Sequence, residues 1–293
     1  MTNTWSIVVA YLPDSQRINK LVDHLLSQGT YVIVYDNGGA DRAVEKRENV
    51  YVLGSGRNTG IATALNQSIT FAISEGAEFI ATFDQDSEPP EGMIPTLQRR
   101  LLQHKDENVV AVGPACYDIR NGPFTWPVFA PARYGFKRLN PDRLKDPIPS
   151  IFLITSGMVF STEGYQTVGP FDDSLFIDHV DTAWGLRANF MGKKLLTCPE
   201  TQMKHELSRS APRFFLGRLV LDYPPIRRYY TARNSVRLAL SNFTPLGLRF
   251  YFAATTVYRL LALPLFDASP VKCFLAILTG IRDGVYEGAI KPS

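Results

Sequence analysis

The feature that most constrains this chain is an alternation of two periods across its first 113 residues. Short apolar runs rich in β-branched residues are separated by segments of helical spacing: "SIVVAY" (6–11), "YVIVY" (31–35), "VYVL" (50–53), "FIATF" (79–83) and "VVAVG" (109–113). Within 15–28, Ile18, Leu21, Val22, Leu25 and Leu26 share one helical face, and further helices are expected at 61–75 and 92–103. Apolar strands alternating with helices predict an α/β fold, a mainly parallel sheet covered on both faces. Ligands of such sheets sit beyond the carboxyl ends of the strands. Asp36, Asn58 and Asp84 all fall at that edge.

From 115 to 150 the pattern gives way to a stretch with six prolines, expected as a long loop. Periodicity resumes at 151–161 and in the second part of 171–192. Helices are then expected at 225–241, 246–265 and 271–287, separated by Pro245 and Pro270. The expected division is 1–210, in halves 1–113 and 114–210, followed by a helical region at 211–293.

A net charge of +3 is too small to imply a nucleic-acid partner. Basic residues are nonetheless concentrated: from Arg209 to Arg259 there are nine Arg against one acid, Asp222. Cys116, Cys198 and Cys273 form no CxxC pair, which argues against a zinc ribbon or a disulfide framework. The N-terminus has no basic start or cleavable apolar stretch, so the expected compartment is the cytosol. The apolar segment 246–266 is interrupted by Arg249, Arg259 and Pro264. A spanning helix needs about 20 apolar residues, so the segment suits a membrane interface, a core or a dimer seam.

"ATFDQDSEPPEG" (81–92) carries the most chemistry. A strand delivers Asp84 and Asp86 to the sheet edge, then breaks on Pro89 and Pro90. Such a pair suits a hard divalent cation, because Mg²⁺ is held by one or two carboxylates plus substrate phosphate oxygens. A solvated acidic turn is the plainer alternative. A DxD phosphatase is disfavoured, since Glu88 stands where that pattern has Thr or Val and the motif ends the fourth strand rather than the first. "GSGRNTG" (54–60) spaces as GxGxxxG, neither the dinucleotide fingerprint nor a Walker loop.

Taken in order, "SIVVAY", "VYDNGG", "GRNTGIATALN", "TFDQDS", "TSGMVFS", "FDDSLFIDHVDTAWGLRA", "KHE" and "RRYYTARN" resemble the inverting, family-two glycosyltransferases of the GT-A fold, over about residues 6–240. The forms DQDS, FIDHVDT and RRYYTARN are similar, more narrowly, to bacterial dTDP-rhamnosyltransferases. The resemblance implies a GT-A fold with a C-terminal helical extension. It also implies transfer of L-rhamnose from dTDP-β-L-rhamnose to a hydroxyl of a glycan or glycolipid, of O-antigen, lipopolysaccharide or rhamnolipid type. The same fold with another donor, such as a UDP-hexose, is the alternative; an inactive sugar-binding module is a further one.

What the resemblance implies for single residues follows the motifs. Mg²⁺ or Mn²⁺ would be held by Asp84, Asp86 and His205, and Asp181 would be the general base at a helix start. Ala10, Tyr11, Asp36, Asn58, Gly60, Asp84, Gln85 and Arg233 would bind the nucleotide sugar, Asp36 by accepting from the imide N–H of thymine or uracil. Asp178, His179 and Arg228 would touch the acceptor or tune the base. Relatives carry an acid two residues beyond the base, and here that position is Ala183. Expected partners are the donor, an acceptor that can be lipid-linked, a membrane surface reached peripherally, and a second copy in a homodimer.

Overall fold

The structure, a computed structural model, describes residues 3–118, 124–133, 135–205, 213–215, 218–220, 223–266 and 269–291. Strands β1 (Thr4–Ala10), β2 (Tyr31–Asp36), β3 (Val50–Leu53) and β4 (Phe79–Asp84) alternate with helices α1 (Ser15–Ser27), α2 (Ala40–Ala43) and α3 (Ile61–Ser74). Helix α1 begins where the Asp14 carboxylate accepts from the Arg17 amide at 2.8 Å, a partner the first helical turn otherwise lacks. The four strands pair in parallel in the order β3-β2-β1-β4. Successive side chains of a strand leave on opposite faces. Ile7, Ile33 and Ile80 therefore enter one core with α3, while Val8, Val34 and Ala81 enter a second core with α1 and α4 (Met93–Gln103).

The remaining half of the sheet is mixed, a departure from the mainly parallel sheet expected. The chain continues through β5 (Val109–Asp118), β6 (Phe124–Thr125), β7 (Val128–Ala132), β8 (Gly135–Leu139), β9 (Ile148–Ser150), β10 (Met158–Ser161), α5 (Thr162–Val168), α6 (Val180–Phe190) and β11 (Lys194–Lys204), of which β5, β6, β9, β10 and β11 join the sheet. Strand β10 lies between β4 and β5, antiparallel to both. The Gly157 amide donates to Thr82 O at 2.7 Å, so β10 is entered from the carboxyl end of β4 and has to run backward. Strand β11 pairs in parallel with β5, and β9 closes the edge.

The proline-rich stretch is also more ordered than expected. Strand β5 runs on to Asp118, β7 and β8 form a two-stranded ribbon, and β9 follows. Pro131 lies in that ribbon and Pro149 on the edge strand, where a missing N–H is tolerated.

Short strands β12 (Arg213–Phe215) and β13 (Arg218–Val220) precede three helices, α7 (Pro225–Leu240), α8 (Leu246–Phe266) and α9 (Pro270–Glu287). Leu238, Phe243, Leu248 and Phe252 share one core with Trp5, Phe160 and Trp184, so the helical region is built into the body of the sheet. The division expected after 210, and Arg209 and Asp222, lie outside the described residues. Cys116, Cys198 and Cys273 are free and buried. Among the described residues no helix is long and apolar enough to cross a membrane.

Candidate active site

Strand register brings the chemistry to one edge. Ala10 pairs with Asp36 and Val9 with Asp84, so three neighbouring strands end side by side. Just beyond, the Gln85 side-chain amide clips β1 to β4: its Oε1 accepts from the Tyr11 amide at 2.7 Å, and its Nε2 donates to Tyr11 O at 3.2 Å. Asp36 accepts from the amides of Gly38 (2.9 Å), Ala40 (2.8 Å) and Asp41 (3.2 Å). Burial alone would raise its carboxyl, yet these amides hold it below the usual carboxylate range. Asp36 thus fixes its own turn.

The 54–60 loop folds back over β2. Asn37 Oδ1 accepts from the Thr59 amide at 2.7 Å, and Asn58 Oδ1 from the Gly60 amide at 3.1 Å. Gly60 has φ +85°, and a Cβ there would lie 2.6 Å from the Phe176 ring, so only glycine fits.

Asp84 is the electrostatic centre. Crowding by the surrounding protein pushes its carboxyl above the usual range although the side chain stays partly exposed; His205 opposes the rise and Asp86 reinforces it. The Asp84 charge is also felt at Asp181, Arg227 and Cys116, whose buried thiol is pushed up to about 12. Lys204 bridges to Glu88 both through the backbone and by an ion pair at 3.2 Å, which draws the end of β11 to the DxD turn. His205, the next residue, is buried, with Nε2 3.9 Å from Asp84 Oδ2.

Among the described residues no group of three or more His, Cys, Asp or Glu converges to hold a metal. The pair Asp84–His205 nonetheless fits a cation completed by substrate. The 3.9 Å between His205 Nε2 and Asp84 Oδ2 is too long for a hydrogen bond but can be spanned by two ligands of one small ion. Asp86 stands exposed past the strand end.

Asp181 lies in the first turn of α6. Burial pushes its carboxyl up to about 6 against hydrogen bonds from Thr182 and the Thr155 amide, and the Asp84 charge adds to the rise. Ala183 is buried in the core, where an ionised acid would be costly. Asp178 is clasped by Arg227, whose Nε and Nη2 donate at 3.0 and 2.9 Å, and by the Thr231 hydroxyl at 2.9 Å. His179 bonds Ser235 at 3.0 Å and meets the Phe252 ring edge-on. Burial and Arg259 push His179 down to about 4, so it is neutral near pH 7.

The basic residues of α7 sort differently from the sequence expectation. Arg233, expected at the donor, donates from Nη2 to the carbonyls of Ser174 (2.6 Å) and Leu175 (3.2 Å) and pairs with Glu287. Those donors are therefore occupied by structure. Arg228 is buried against the Tyr223 ring. Arg227, stacked 4.0 Å over Tyr223, is the α7 arginine whose charge is felt at Asp84. Burial would lower its pKa, but Tyr223, Asp178 and Asp84 raise it above the ordinary value. The doublet Arg227–Arg228 marks the position, but helical spacing alone does not say which arginine turns toward the strand ends. Asn234, fully buried against the 175–178 backbone, was likewise missed.

Comparison with known proteins extends the geometry. The model of glycosyl transferase family 2 matches residues 6–161. A Shigella flexneri protein named dTDP-rhamnosyl transferase RfbF is 32% identical over 293 residues, covering 96% of each chain. A structure of GalNAc-T7 with UDP, GalNAc and Mn²⁺ superposes with TM-score 0.61 at 14% identity, over 98% of this chain and 57% of that one. A structure of S. aureus TarS 1-349 superposes with TM-score 0.55 at 13% identity, over 98% and 82%. The chain thus spans little more than half of the GalNAc-T7 structure, and at such identities the likeness establishes the GT-A fold. With the family model covering more than half of the sequence and a relative matched nearly end to end, this chain belongs to glycosyl transferase family 2 and is an enzyme that draws a hexosyl group from a nucleotide-sugar donor.

Proposed function

We propose that the enzyme is an inverting transferase that moves L-rhamnose from a dTDP donor to a hydroxyl of a glycan or glycolipid, with Asp181 as general base. The observation that carries this reading is one carboxylate, Asp181, raised to about 6 and within the field of a second, Asp84, at the strand ends. In the reaction the acceptor hydroxyl gives its proton to Asp181 as its oxygen attacks the anomeric carbon. The bond from that carbon to the diphosphate oxygen breaks on the opposite face, so configuration inverts. Negative charge collects on the departing diphosphate, where Arg227 supplies positive charge. A divalent ion held by Asp84 and His205, with Asp86 beside them, would add Lewis-acid stabilisation of that charge. Ala10, Tyr11 and Gln85 frame the nucleoside, with Asp36 accepting from the base and the 54–60 loop beside the phosphates.

The rhamnosyl reading draws on the relative named for it. A UDP-hexose is the second reading: the GalNAc-T7 structure holds UDP, and a carboxylate at Asp36 accepts equally from the imide of either pyrimidine. Melting curves with dTDP, UDP and their sugars test both. The matching nucleotide plus Mn²⁺ should stabilise by about 2.7 kcal/mol at 100 times its dissociation constant, and Asp84→Asn or His205→Ala should abolish the gain. Equal stabilisation in those variants, or none by any pyrimidine nucleotide, defeats the site as read.

A lipid-linked acceptor accords with the outer face of the helical region. On α8 the exposed positions Leu246, Phe250, Ala253, Ala254, Val257 and Leu261 include no charge. On α9, Val271, Phe274, Leu275, Leu278 and Val285 are exposed, along with Lys272 and Arg282. The acids of α9 are engaged, Asp283 by Arg282 and Tyr229, and Glu287 by Arg233 and Arg237. A basic, apolar face of this kind suits an anionic lipid surface at the cytoplasmic side of a membrane. Sedimentation with anionic vesicles should fall several-fold in Phe250→Ser/Phe274→Ser. A vesicle-independent dimer abolished by the same double variant would assign the face to a second copy instead.

A further inference from the structure

The turn that leads into Asp181 is built from improbable backbone. Phe176, Asp178 and His179 have φ of 63°, 61° and 62°, three non-glycine residues in the left-handed half of the map within four positions. Such conformations persist only where the surroundings over-determine them. Here one side of the turn is held by helix α7. Asn234, 0% exposed on α7, donates from Nδ2 toward the carbonyls of Leu175 (3.0 Å), Ile177 (2.9 Å) and Asp178 (2.8 Å). Its own Oδ1 accepts from Arg233 Nε at 3.0 Å, which fixes the amide's orientation. The other face of the turn is held by the donor loop: the Ile61 amide donates to Phe176 O at 2.6 Å, and the Phe176 ring lies between Gly60 and Tyr230.

We propose that Asn234 is a positioning residue for the transfer step: from α7 it holds the 175–178 backbone in the left-handed turn that presents Asp181 to the acceptor. This rests on the reading of Asp181 as base. The helical region then acts on the chemical step, and Phe176 couples the same turn to the loop that frames the donor. The two N–H groups of this one amide nitrogen are shared among three converging carbonyls. Among uncharged side chains only Asn and Gln carry an NH₂, and Gln is one methylene too long for this fit.

The test compares Asn234→Ala, Asn234→Asp and Asp181→Asn, each assayed well below its own melting temperature. Loss of the amide lets the turn relax, and misplacement of about 1 Å costs about 10²-fold in rate. Asn234→Ala should lower kcat by about 10²-fold with the donor KM within about threefold of wild type. Asn234→Asp should be worse, because a carboxylate faces three carbonyl oxygens. The acid limb of kcat/KM should move to lower pH as Asp181 gains water. If Asn234→Ala does not fold, Asn234→Ser, which keeps one donor, carries the same comparison. A folded variant with wild-type kcat, or one that loses donor affinity alone, overturns the positioning role while Asp181→Asn remains inactive. Near-normal turnover in Asp181→Asn overturns the base reading itself and leaves Asn234 nothing to position.

Discussion

Asp181→Asn should lower kcat for transfer by roughly 10²–10⁴-fold, the contribution typical of a positioned general base, while nucleotide-induced stabilisation is unchanged. The amide keeps the size and the helix-start position of the carboxylate but cannot take the acceptor proton. The wild-type pH profile should show the same group from another side. A base works in its ionised form, and burial has raised Asp181 to about 6, so kcat/KM should fall as pH drops through that value. Stability carries the opposite sign. A carboxyl whose folded pKa lies above its unfolded one penalises the native state where it is ionised, above about pH 6, and the penalty fades as pH falls toward the ordinary carboxylate range. Asp181→Asn should therefore melt higher than wild type at pH 8 and converge with it near pH 4. An inactive variant with no gain at pH 8 would mean that Asp181 is not held in a water-poor site. An active one would move the base elsewhere.

How far the sequence could carry this reading depended on the range of each interaction. Continuous apolar runs such as "YVIVY" and "FIATF" resolve into strands within a residue or two, because burial on both faces is written locally. The same locality places Asp36 and Asp84 at one edge. Strand β11 was missed because "KLLTCPETQMK" carries Pro199 and a register shift between Cys198 and Gln202, and its pairing with β5 is non-local. That missed strand is what carries His205 to Asp84. On α7 the motif RRYYTARN marks a functional helix, but the roles of its members follow from what each faces in space. Arg233 caps the 174–175 carbonyls, Arg227 clasps Asp178, and Asn234 braces a turn more than fifty residues away in sequence. Left-handed φ at Phe176, Asp178 and His179 has only a weak compositional signature, since none is a glycine and only Asp and His are enriched there.

Gly280→Val should destabilise the whole enzyme by about 3 kcal/mol, at the upper end of what overpacking costs and a large share of the 5–15 kcal/mol that holds a domain together. Helix α9 lies on α7 through two glycines a turn apart. A Cβ on Gly280 would collide with the carbonyl oxygen of Tyr229, and one on Gly284 would sit 2.6 Å from Arg233 O. Both obstacles are helix backbone, which has no rotamer in which to retreat. Alanine gains about 1 kcal/mol of helix propensity over glycine, yet it places the same Cβ in the same collision, so Gly280→Ala should also destabilise, by less. Separating α9 from α7 breaks the Tyr229–Asp283 hydrogen bond and frees Glu287 from Arg233 and Arg237, the arginines that hold Ser174 at the start of the Asp181 turn. Transfer activity should therefore be lost in step with the single unfolding transition, whereas Thr279→Val on the exposed neighbouring position should change neither. Two separate transitions in Gly280→Val, the first leaving transfer intact, would show instead that α9 is an independent unit and that the catalytic body needs nothing from it.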